Sequence, residues 1–130
     1  MAEQIALTAS NIRYLLKIKE LGESGHGARC VDIAASLGLS KPSVSNMLGT
    51  FINMGLVNKN SYGAAYLTKE GSEAAERYGQ YYESVSALLG EYFPGIDNME
   101  NLACLLLSEI PEESLAGLYD RYTAVSGKMK

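Results

Sequence analysis

The 130-residue sequence has one histidine, two cysteines and no long apolar run, and each scarcity narrows what the chain can do. The lone His26 argues against a histidine-rich metal centre or a histidine-based catalytic site. Cys30 and Cys104 lie far apart and outside any CxxC spacing, so they read as reduced thiols rather than a disulfide framework. No apolar stretch reaches the ~18 residues of a membrane span. The first twenty residues carry no signal-peptide pattern, so the expected location is the cytoplasm. Internal repeats and low-complexity tracts are also missing. Around His26, Cys30 and Cys104 there is no nucleophile–base pairing, glycine phosphate cradle or clustered acid pair, which argues against an enzyme.

What is present is unevenly distributed. Residues 1–71 hold seven basic and five acidic groups, a balance of +2; residues 72–130 hold four and ten, a balance of −6. The total of −4 looks wrong for a nucleic-acid binder, but the local field, not the total, steers a protein to phosphate. The split suits a DNA-reading first half and an acidic second half that faces elsewhere.

The most informative stretch is VDIAASLGLSKPSVSNMLGTFINMGLV, Val31 to Val57. Ile33, Ala34 and Leu37 are apolar at helical spacing, predicting a helix at about 29–37. Gly38 stops it, because glycine takes a positive φ without strain, and Leu39 is expected to pack under the turn. Ser40 caps a second helix at about 41–54, and Pro42 stands near its first turn, where a missing N–H costs little. Val44, Met47, Leu48 and Phe51/Ile52 supply the buried stripe; Ser43, Ser45, Asn46 and Thr50 face out. A helix with small polar groups outside, braced at a fixed angle by a second helix, fits a DNA major groove.

The surrounding elements complete a winged helix. A first helix fits roughly 9–22 on the stripe of Ile12, Leu15, Leu16, Ile18 and Leu21, and GESGHGAR reads as a glycine-rich loop. After Gly55, residues 56–60 and 64–68 read as two short strands around Ser61-Tyr62-Gly63, a hairpin placed as a wing. Thr68 then caps a long helix to about Leu89, with Ala74, Ala75, Tyr78, Tyr81/Tyr82, Val85 and Leu88/Leu89 on one side. Helices at about 97–108 and from Pro111 to about Tyr122 follow, and residues 1–8 and 124–130 read as loose ends. The fold expected is mainly α: a winged helix-turn-helix domain over 1–71 and a helical domain over 72–130.

The best candidate DNA contacts are Ser40, Lys41, Ser43, Ser45 and Asn46, with Thr50 on the same face. Hydroxyls and a lysine near a helix N-terminus suit phosphates, and Asn46 suits an adenine edge. Arg29 reaches phosphate or pairs with Asp32; Lys59, Asn60 and Tyr62 are the wing contacts. The second helix is poor in arginine, so bidentate reading of guanine is not expected. Leu102, Leu105, Leu106, Leu115, Leu118, Tyr119 and Tyr122 give the C-terminal helices more apolar surface than a short chain needs. Such a surface points to a homodimer on paired half-sites of double-stranded operator DNA, or else to a satellite core of the monomer. The competing function is a winged helix that holds another protein on its groove-facing surface.

The succession NIRYLLKIKEL, ARCVDIAASLGLSKPSVSNMLGTFINMGLV and YLTKEG, then a long helix and two further helices, resembles the metal-dependent repressors of the diphtheria-toxin-repressor and manganese-transport-regulator family. The resemblance covers roughly residues 9–122 and is most specific at Ala28–Val57 and Leu67–Gly71. It implies a DNA-binding winged domain, a dimerisation domain and the short form without a C-terminal barrel. It also implies a site for Mn²⁺ or Fe²⁺, with ligand positions that here hold Arg13, Leu16, Tyr82, Glu100, Ala103 and Cys104. Of these, Glu100 and Cys104 are the possible ligands; leucine and alanine coordinate nothing, and an arginine repels a divalent cation. The metal switch of the family is therefore expected to be degraded, with Arg13 near Glu100 as a fixed charge in place of the ion. The competing expectation is a rebuilt site on Asp97, Glu100 and Cys104, spaced i, i+3, i+7 on one helix face, with Glu83 near Tyr82.

Overall fold

Each long apolar periodicity becomes a helix, and the glycines and prolines between them become the turns. The computed structural model describes residues 6–126, the side chain of Ser126 excepted. In chain order the elements are α1 (Ala9–Leu21), a 3-10 turn (Gly22–Ser24), β1 (Ala28–Arg29), α2 (Cys30–Leu37), α3 (Lys41–Asn53), β2 (Val57–Lys59), β3 (Ala64–Leu67), α4 (Lys69–Tyr92), α5 (Met99–Glu109) and α6 (Glu112–Ser126). No helix among the described residues is long and apolar enough to cross a membrane. Among the described residues two compact units form: Tyr14–Glu76, and residues 6–13 together with 77–126. The division between these units falls within α1 and within α4.

The first unit holds the winged helix. Ile33, Ala34 and Leu37 of α2 are buried, as are Val44, Leu48 and Phe51 of α3. The Tyr14 and Phe51 rings meet edge to face, 6.3 Å between centroids, and brace α3 against α1. Gly38 takes φ 68° and its N–H donates to the Ala34 carbonyl, closing α2 with the left-handed residue that the helix-turn-helix corner needs. The sheet has the order β1-β3-β2, antiparallel throughout: Val57 pairs with Leu67, Lys59 with Ala65, and Ala28 with Ala65 on the other edge. The wing therefore has a third strand, β1, in the segment read from sequence as the end of a loop and the start of a helix. Thr68 closes the unit. Its hydroxyl donates to the Gly55 carbonyl at 2.7 Å and accepts from the Gly71 N–H at 3.0 Å, capping α4 as its position predicts.

In the second unit, Thr8 and Asn11 cap the start of α1 reciprocally. The Asn11 N–H donates to Thr8 Oγ1 at 3.0 Å and the Thr8 N–H donates to Asn11 Oδ1 at 3.1 Å. The start is thus ordered from Leu7, which is buried, and not frayed through residue 8. Tyr78, Tyr81, Val85 and Leu89 of α4 are buried, with Ala103, Cys104 and Leu107 of α5 and Leu115 of α6. Glu112 at the start of α6 accepts from Arg77 Nε at 2.6 Å and from the Tyr81 hydroxyl at 2.8 Å. Burial first, and then that bond, push the Tyr81 phenol up to about 12.

Several single-residue expectations are corrected. Leu39 does not pack under the turn: it is 37% exposed, its N–H bonded back to the Ala34 carbonyl at 3.0 Å. Ile52 is exposed and Met47 half-buried, so the stripe of α3 is Val44, Leu48 and Phe51. Leu88 is likewise exposed and Tyr82 half-buried. The helices α4 and α6 run on to Tyr92 and Ser126, past the ends expected at Leu89 and Tyr122.

Candidate nucleic-acid interface

The turn between α2 and α3 sets which side chains α3 presents. Ser40 is its N-cap: the backbone N–H of Ser43 donates to Ser40 Oγ at 3.2 Å, and the Ser40 hydroxyl donates to Ser43 Oγ at 3.0 Å. Pro42 falls in the first turn, as expected. The buried positions 44, 48 and 51 turn Lys41, Ser43, Ser45, Asn46 and Thr50 outward, and all five are exposed. Backbone N–H groups at the start of α3, its positive dipole end and the Lys41 ammonium together make a place for a phosphate. Asn46 follows one turn further along the same helix. The Thr50 hydroxyl donates to the Asn46 carbonyl at 3.2 Å, so it is turned partly back onto the helix. Cys30 at the start of α2 reaches the Lys41 carbonyl, Sγ to O 3.6 Å, and links the two helices at their N-terminal ends.

In the wing, Asn60 has a structural task that its sequence position did not reveal. Its Oδ1 accepts from the N–H groups of Tyr62 at 2.9 Å and Ala64 at 3.0 Å, building the turn that Gly63 completes at φ 84°. Tyr62 stands at the tip, 82% exposed, and Lys59 is exposed on β2. Arg29 lies on β1, exposed, its backbone paired with Ala64 across the sheet. The sheet and its turn thus carry Arg29, Lys59 and Tyr62 within the same unit as α3.

The cap can be separated from a phosphate contact. Ser40→Ala is expected to cost about 1 kcal/mol of stability, measured by urea unfolding. Ser40→Asp keeps a capping oxygen and adds a charge that phosphate repels. It is therefore expected to hold the stability and to weaken binding to a DNA duplex.

The residues at the family's ligand positions do not make a cation site. Arg13 Nε lies 3.5 Å from Glu100 Oε2, so the guanidinium takes the one exposed carboxylate. Ala103 is buried and Leu16 half-buried, and neither has a donor atom. Cys104 is buried, and burial, then the Glu100 charge, push its thiol up to about 11. The rebuilt alternative also fails as a helix face. Asn98 takes φ 58° and α5 starts at Met99, so Asp97 is off the helix that carries Glu100 and Cys104. Glu83 accepts from the Tyr122 hydroxyl at 3.3 Å. Among the described residues no three His, Cys, Asp or Glu side chains gather to hold a metal. Mn²⁺ and Fe²⁺ need several oxygen or imidazole donors, and this donor set does not fit them.

On α5 and α6, Leu102 and Leu105 are exposed, the latter by half, and Leu106, Leu118, Tyr119 and Tyr122 are half-buried. Leu115 is 1% exposed, part of the interior rather than of any surface a partner reaches. Tyr92 and Phe93, at the end of α4, are also exposed, by 67% and 56%.

Residues 19–61 match the family model described as the IclR helix-turn-helix domain. The chain is 38% identical over 72 residues to the transcriptional regulator MntR of Escherichia coli (strain CFT073), an alignment covering 55% of this chain and 44% of that relative. It therefore matches less than half the length of that curated relative. Among solved structures, the protein SSo2273 of Sulfolobus solfataricus is 28% identical with a TM-score of 0.61, covering 88% of each chain. The manganese regulator SloR superposes with a TM-score of 0.73 over 97% of this chain and 56% of its own; at 21% identity that likeness is one of fold. The chain thus resembles a transcriptional regulator in sequence over 72 residues, and in fold, over nearly its whole length, the solved manganese regulator.

Proposed function

We propose that the chain is a transcriptional regulator that binds double-stranded operator DNA as a homodimer, α3 entering the major groove and the wing lying beside it. The observation that carries this is the exposed face of α3: Lys41 and Ser43 at a capped helix N-terminus, with Asn46 one turn on and no acidic side chain in its first turn. The named relative, a transcriptional regulator, supports the same reading. So do the exposed Leu102 and Leu105, which offer apolar surface for a second copy. The domain that forms the dimer is the helical one, from α4 onward. Operator contacts are assigned to Ser40, Lys41, Ser43, Ser45, Asn46 and Thr50 on α3 and to Arg29, Lys59, Asn60 and Tyr62 around the sheet.

Fluorescence anisotropy with a pool of genomic duplexes tests this. The expected result is saturable binding whose affinity falls by about tenfold or more between roughly 50 and 200 mM salt, as counterions are released from contacted phosphates. Binding that ignores salt, or none to any duplex, rejects the reading and leaves a winged helix that holds a protein.

A further inference from the structure

We infer that this regulator does not sense a metal: the Arg13–Glu100 pair stands permanently where the resemblance puts an exchangeable ion, and DNA binding proceeds without one. The inference rests on the proposed DNA-binding role and adds to it how that role is, or is not, gated. Its basis is a disagreement between the donor set and the ion. The position that would supply a carboxylate or imidazole on α1 supplies a guanidinium, 3.5 Å from the Glu100 carboxylate on α5. Arginine stays charged at every physiological pH and is tethered beside its partner, so the positive charge facing Glu100 does not come and go with the concentration of a metal ion. A second cation brought to Glu100 meets this charge at close range and is repelled. Of the remaining positions, Leu16 and Ala103 have no donor atoms and Cys104 is a buried thiol, and no three His, Cys, Asp or Glu side chains gather to hold a metal among the described residues.

An arginine is more than an empty site. A site that had lost its ligands alone would leave Glu100 without a counter-charge, whereas here a link between α1 and α5 of the second unit is kept by other means. Arg13 is thus a positioning residue, holding the first turns of α1 to α5. Its consequence is a regulator whose operator occupancy follows protein level or another signal.

The test has two independent arms. In the first, the full chain is dialysed against Mn²⁺ or Fe²⁺ under anaerobic conditions and its metal content is measured. Substoichiometric retention is expected, and one retained ion per chain overturns the inference. In the second, affinity for a bound genomic duplex is measured with EDTA, with Mn²⁺ and with Fe²⁺. Values within about twofold are expected, whereas an ion acting as an allosteric effector changes affinity about 5–150-fold. Arg13→Ala and Glu100→Gln are each expected to weaken DNA binding in EDTA, and the exchanged pair Arg13→Glu with Glu100→Arg to recover it. Loss in the single variants without recovery in the exchanged pair overturns the positioning role. Thermal melts of all variants identify any that fail to fold. If no duplex is bound in any condition, the DNA-binding proposal fails, and the dialysis arm still decides the question of the metal.

Discussion

Replacing Gly71 by alanine is expected to destabilise the winged unit by about 3 kcal/mol, although alanine is the better helix former by about 1 kcal/mol. Gly71 lies in the first turn of α4 and is buried, and a Cβ there would run into the Leu56 carbonyl oxygen, with the carbonyl carbon 2.9 Å away. A flexible side chain would swing aside, but this obstacle is backbone. That carbonyl also accepts the Thr68 N–H at 2.9 Å, and Thr68 holds both the Gly55 carbonyl and the Gly71 N–H. Moving α4 away to admit a methyl group therefore strains the corner where α3 ends, β2 begins and α4 starts. Thermal unfolding checks it, with an expected fall in Tm of roughly 10 °C. Gly117→Ala in α6 is the control: nothing lies within 4 Å of its Cβ position, so alanine there is expected to stabilise by up to about 1 kcal/mol. A Gly71→Ala protein as stable as its parent would mean that α4 does not approach Leu56 so closely.

Gly71 also shows where sequence reading stops. A glycine in a helical pattern reads as a local weakness, and its need appears only when another segment's backbone is seen against it. The features that were legible are those with local causes. Gly38, Ser40 and Pro42 define the helix-turn-helix corner through φ preference and capping, so they could be placed within a residue. Features with distant causes were not. The strand β1 is two residues long, too short to show a period, and exists because Ala28 and Arg29 pair with Ala65 and Ala64 far along the chain. Phe51 and Ile52 are both apolar, and only packing of the Phe51 ring on Tyr14 decides that Phe51 goes in and Ile52 out. Asn60 was read as a DNA contact from its place in the wing, while the hydrogen bonds that occupy its oxygen depend on the turn geometry. Spacing set α5 two residues early, and with it a false helix face for Asp97, because the left-handed Asn98 cannot be anticipated from a period.

Changing Lys41 and Asn46 together to alanine is expected to lower operator affinity by about 4 kcal/mol, roughly a thousandfold, while leaving the fold intact. Both side chains are exposed on α3, and neither touches the buried stripe of Val44, Leu48 and Phe51. Alanine is the better helix former than asparagine, so stability should hold or rise slightly. Each change counts twice in a homodimer, once per half-site, which is why two modest contacts sum to a large effect. The single variants carry separate signatures. Lys41→Ala is expected to weaken binding to all duplexes alike and to reduce the slope of log affinity against log salt by about 2, the two phosphates released per dimer. Asn46→Ala is expected to leave that slope alone, to spare non-specific binding and to erode preference for adenine at one position in each half-site. An Asn46→Ala protein with unchanged sequence preference would place the reading of bases elsewhere on α3, in Ser43, Ser45 or Thr50. A double variant that binds its operator as the parent does would mean that α3 is wrongly assigned as the reading helix and that the DNA is held by another surface.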